Sequence, residues 1–117
     1  MEAGQPDRDA RDTAISEGTV KLFRDHTGRE PTNARTTVID DLVTVVMTDT
    51  LTNTEQRLVD AGATKRVLDL RWAFQQKMRD ELVALVEDQV DRKVIAFMSA
   101  NHLDPDMASE TFILAPA

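Results

Sequence analysis

Cysteine and tyrosine are both absent from this 117-residue chain. Without cysteine there is no disulfide framework, no thiolate metal site and no thiol nucleophile, which fits a reducing compartment. Positive charge is scarce: 14 Lys and Arg stand against 21 Asp and Glu, a formal net charge of -7. Such a chain repels phosphate backbones and anionic headgroups, so DNA is not expected as a partner and RNA is a poor one. No apolar run approaches the roughly 18 to 20 residues that span a bilayer. Met1 to Gly18 carries acidic residues where a secretory signal would be basic and apolar. The expectation is a soluble, cytoplasmic protein with no direct membrane insertion, whose link to a membrane would run through another protein.

Histidine is nearly missing too. His26 and His102 are the only two, too far apart for a helical His pair or an HExxH-type zinc site. Ser16, Ser99 and Ser109 lie in no nucleophile elbow, and Gly28-Arg29-Glu30-Pro31 lacks the ending of a phosphate loop. Asn101-His102-Leu103-Asp104-Pro105-Asp106 gathers oxygen and imidazole groups, yet reads as a Pro turn that uses them for its own hydrogen bonds. The acid pairs Asp40-Asp41, Asp80-Glu81 and Glu87-Asp88 read as solvated charge. No catalytic residue, metal site or cofactor is expected.

What is present is an apolar fraction of 41%, rich in Val, Leu and Ile and sufficient for one core. Residues 1–9 mix Gly, Pro and charge and read as a frayed, disordered segment, with a single domain over 10–117. Helix is favoured from about Asp9 to His26, with Ile15, Thr19, Leu22 and His26 on one stripe, Phe23 beside it and Gly28 as the stop. Gly18 inside that helix signals close packing or a weak helix. Two β-branched runs, ARTTVI and LVTVVM, flank Asp40-Asp41 at the spacing of a two-residue hairpin. Leu42 to Met47 is apolar on both faces, which requires cover on both sides or an exposed edge that pairs with another copy.

Thr52 and Glu55 form a capping box that starts a short helix ending near Ala61, with Gly62 behind it. A long helix then spans about Thr64 to Val90, with Val67, Leu70, Phe74, Met78, Leu82 and Leu85 on one face. It carries a second stripe at its ends, Leu68 with Trp72 and Val83 with Val86 and Val90. At about 40 Å it is long for a domain of this size, so part of it should pack on a partner. KVIAFMSAN and ASETFIL supply two last strands around the Pro105 loop. The expected fold is α+β: helix, β-hairpin, short helix, long helix, β-hairpin, with a mostly antiparallel sheet packed on the long helix.

Arg71 sits beside the main apolar face, between Val67 and Phe74, and two readings stand side by side. In one it snorkels over the core while Trp72 fills the second stripe; in the other its planar fork anchors a carboxylate such as Glu55, or a ligand anion.

Several of these pieces, in order, resemble one family. Gly28-Arg29-Glu30-Pro31 is similar to a Gly-Arg-Gly-Pro motif after a first helix, and Leu51-Thr52 with Glu55 and Leu58 to a Leu-Thr-Pro-Ala-Glu helix start. Leu70-Arg71, Arg92-Lys93-Val94 and Phe112-Ile113-Leu114 match as well. The set is similar to the MpsC-like family of small bacterial proteins, over roughly residues 10 to 115. Glu30 departs from the family's second glycine, and Asn53 from its proline at the first helical position. The resemblance implies association with cation or bicarbonate transport and membrane energisation.

Three functions follow as expectations. The first is a non-enzymatic accessory or regulatory module, homodimeric through the two-faced strand or the long helix, acting on a membrane transport protein by contact. The second is a nucleic-acid module, because the element order also suits a type II KH domain, although Gly62-Ala63-Thr64-Lys65 lacks that domain's second glycine. The third is a small-molecule or ion sensor. Candidate ligand or partner contacts are Arg29, Glu55, Arg71, Trp72 and His102.

Overall fold

The computed structural model describes residues 4–117. Its elements are α1 (Gln5–Thr27), β1 (Asn33–Ile39), β2 (Leu42–Thr48), α2 (Asn53–Asp60), α3 (Thr64–Val90), β3 (Val94–His102) and β4 (Met107–Leu114). This is the expected α+β order. Every strand pairing is antiparallel, and the strand order across the sheet is β1-β2-β4-β3.

Helix α1 begins at Gln5, earlier than the expected start near Asp9; residues 1–3 lie outside the described residues. Pro6 suits the first turn, where its missing amide hydrogen has no use. Gln5 Nε2 donates to Asp9 Oδ1 (2.7 Å), and Arg8 Nη2 to Gln5 Oε1 (3.0 Å), across that turn. Gly28 closes the helix at φ 79°, its amide donating to Arg24 O. Ile15, Thr19 and Phe23 are the buried residues, with Leu22 half-buried beside them. A Cβ on Gly18 would sit 2.7 Å from both methyl carbons of Leu85, so this glycine marks the close approach of α1 to α3.

The first hairpin turns at Asp40 (φ 54°) and Asp41, with Ile39 opposite Leu42. Val43, Val45 and Met47 of β2 are buried beneath the helices, as are Ala108, Glu110, Phe112 and Leu114 of β4. Both α1 and α3 pack on that one face. Strand β2 lies between β1 and β4 and is therefore no edge. Of the two alternatives for Leu42–Met47, cover on both sides or an exposed edge, the edge is corrected: β1 and β3 are the edges. No element covers the second face of the sheet among the described residues. Its rows run Ile39-Leu42-Ile113-Ala96, then Thr37-Thr44-Thr111-Met98, then Arg35-Val46-Ser109-Ala100.

The capping box forms as expected: Glu55 N–H donates to Thr52 Oγ1 (3.1 Å), and Thr52 N–H to Glu55 Oε1 (2.9 Å). Along α3 the buried residues are Val67, Arg71, Gln75, Met78, Leu82 and Val86, spaced three or four apart. The apolar stripe expected from the sequence is therefore rotated. Leu70 is exposed, Phe74 and Leu85 are half-buried, and two polar residues take inward positions.

Candidate functional site

The linker between β2 and α2 offers carbonyls and amides that no ladder or helix uses, and three other segments converge on it. Arg29 Nε, from the loop after α1, donates to Asp49 O (3.0 Å). Arg71 Nη1, from α3, donates to Thr50 O (3.0 Å) and to Glu55 Oε1 (3.3 Å). Asp106, the last residue of the β3–β4 turn, accepts from Thr50 N and Thr50 Oγ1 at Oδ1 (both 3.0 Å) and from Leu51 N at Oδ2 (2.9 Å). The turn is fastened further by His102, whose Nδ1 donates to Pro105 O (2.8 Å).

Four of the five residues singled out from the sequence thus surround one end of the sheet. Trp72 does not. It is 63% exposed on α3, so it fills no second stripe, and Leu68 beside it is exposed too. Arg71 does not snorkel. It is 1% exposed, paired with a fully buried Glu55, and its guanidinium carbon lies 5.6 Å from the centre of the Phe23 ring. The carboxylate-anchoring reading describes its place. Glu55 serves the cap and the ion pair through the same oxygen.

A second layer was missed in the sequence. Gln75 Nε2 donates to Asn101 Oδ1 (3.0 Å) and to Glu110 Oε1 (2.9 Å), while Asn101 Nδ2 donates back to Gln75 Oε1 (2.9 Å). Ser99 Oγ donates to Glu110 Oε2, and Arg71 Nε donates to Asn101 Oδ1 (3.4 Å). Burial pushes the Glu110 carboxyl up to about 7, against the opposing pull of the Ser99 and Gln75 hydrogen bonds and the Arg71 charge. Two signals pointed to these residues: Glu110 extends the period-two face of Phe112 and Leu114, and Gln75 stands one helical step beyond Arg71. At the other end of the sheet Arg92 donates to Asp40 O (2.8 Å) and Ala115 O (2.6 Å), and Glu87 accepts from Val94 N (2.9 Å). Glu87 is therefore a strand cap and not only solvated charge.

Chemically, the cluster clamps. Its ion pair and its protonatable carboxyl are closed to solvent, and Asn101, His102 and Asp106 are engaged with the protein's own groups. Among the described residues no group of three or more His, Asp or Glu is arranged to hold a metal ion. Asp106→Ala removes a charged acceptor from three donors and should cost about 2 kcal/mol in urea unfolding. Asp106→Asn, which keeps one carbonyl oxygen, should cost less.

No curated protein and no solved structure matches the chain. A family model described as MpsC, Na+-translocating membrane potential-generating system, matches residues 8–116. That span takes in the linker, the clamp residues and both sheet edges, and the chain belongs to the MpsC family.

Proposed function

We propose that this chain is a non-enzymatic accessory module of a Na+-translocating, potential-generating membrane system, acting by contact with a protein of that system. The observation that carries the reading is the division of the molecule. The Arg71–Glu55 pair and the Glu110 carboxyl are sealed inside, whereas Leu68, Leu70 and Trp72 lie exposed on the first turns of α3. An exposed aromatic with aliphatic neighbours is the composition of a protein-contact centre. The molecule measures 52 × 25 × 21 Å, long enough to present that end of α3 to a partner. The family supplies the kind of partner, and no helix among the described residues is long and apolar enough to cross a membrane. Recruitment from the cytoplasm through a membrane protein fits both.

Co-sedimentation tests this. The chain should pellet with membranes containing the Na+-translocating system, and should be released when protruding protein is shaved from those membranes by protease. Equal binding to protein-free vesicles of the same lipids, or no binding to the native membranes, would overturn the reading.

A further inference from the structure

We infer that two copies of this chain join through β3, antiparallel about a two-fold axis at Met98, to make one continuous eight-stranded sheet. The inference extends the protein-contact reading by naming a second copy as one partner.

The two edges of the sheet differ in kind. Strand β1 carries Arg35 within it and follows Pro31, devices that discourage pairing. Strand β3 has neither. From Val94 to Asn101 it bears no charge and no proline, and β4 occupies only one of its sides. Its other side presents backbone donors and acceptors that another extended strand satisfies. Ile95 at 60% exposure and Met98 at 53% flank that open side. The irregularity in the β3–β4 ladder falls between Val94 and Ala96, so the run from Ala96 onward is regular.

Charge selects a second copy as the occupant. A chain of net charge -7 repels itself over most of its surface, but the two ends of β3 are of opposite sign. Arg92 and Lys93 precede the strand; Asp104 and Asp106 follow it. Antiparallel pairing of two β3 strands brings the exposed Lys93 of each copy beside the turn holding the other's exposed Asp104. The centre of Val94–His102 is Met98, which then faces its own counterpart, with Ala96 opposite the second copy's Ala100. All three lie on the uncovered face, in register with Ile113, Thr111 and Ser109 of β4.

Light scattering coupled to size exclusion reads the result. The wild-type chain should have twice the monomer mass of 13.1 kDa. Ala96→Lys combined with Ala100→Lys sets like charges opposite each other and should weaken the dimer about tenfold or more. Ala96→Lys combined with Ala100→Glu sets opposite charges there and should restore it. Circular dichroism on each variant separates loss of pairing from loss of fold. A wild-type monomer at high concentration, or a dimer that ignores both pairs, overturns the proposal, as does a Lys/Glu variant no tighter than Lys/Lys. Membrane binding through α3 is scored separately, so either interaction can fail without the other.

Discussion

Arg71→Met should unfold at much lower urea concentration than the wild-type chain, with a loss of about 3 to 5 kcal/mol, although arginine is normally a surface residue. The cost has little to do with the size of the side chain, which methionine approaches. It comes from what stays behind. Glu55 is fully buried and its Oε2 has no partner among the described residues even in the intact pair. Without Arg71 it holds an uncompensated charge in the interior, and Thr50 O loses a donor. Glu55→Gln keeps an oxygen for the Thr52 amide while removing the charge. The Arg71→Met/Glu55→Gln double variant should therefore be more stable than the sum of the two single losses implies. Additive losses would show that the pair is uncoupled and that the clamp is held by Asp106 and Gln75 alone. Arg71→Lys should fall between, keeping a charge but not the fork that reaches both Thr50 O and Glu55.

The second large effect is on pH. Glu110 has a folded pKa of about 7, above its ordinary 4.5, with desolvation as the leading cause. Between those values the native state keeps a proton that the unfolded chain releases, so stability falls as pH rises. The stabilisation is fully present below 4.5 and is lost as pH climbs through about 7. From pH 5 to pH 8 this one group should remove about 2 to 3 kcal/mol. The groups facing it are Gln75 and the Arg71 charge from α3, and Ser99 from β3. Glu110→Gln fits the same space and can donate to Ser99 while accepting from Gln75. Its unfolding free energy should be nearly level across this range and higher than wild type at pH 8. A wild-type curve as level as the variant's would mean that Glu110 is ionised in the fold throughout.

These residues mark the boundary between what the sequence shows and what it hides. Strands β1 and β2 were legible because a two-residue acidic turn separates two β-branched runs, and α2 because Thr52 and Glu55 stand at capping distance. Both are local signals. The inward face of α3 was not, because hydrophobic periodicity turns Leu70, Phe74 and Leu85 inward and leaves Arg71 only beside that face and Gln75 off it. What brings them inside are partners 16, 30 and 35 positions away: Glu55, Asn101 and Glu110. A buried polar group depends on tertiary neighbours that no short window contains. Leu70 and Trp72 were displaced outward by the same rotation. The edge of the sheet was hidden for a related reason. Leu42–Met47 and Val94–Asn101 are similarly apolar, and only the pairing order places the first inside and the second outside. Of the candidate residues, Glu55 was legible through its local cap and His102 through its Pro turn; the convergence of Arg29, Glu55 and Arg71 on Asp49–Thr52 was not.

The most direct test of the proposed protein-contact role is a binding curve on native membranes for the wild-type chain and for Leu68→Ser/Trp72→Ser. Both substituted side chains are exposed, so the variant should keep wild-type circular dichroism and unfolding while its membrane affinity drops by about tenfold or more. Undiminished binding by that variant, with binding lost instead in the folded but neutralised Glu110→Gln chain, would contradict the account and place the function in the buried cluster.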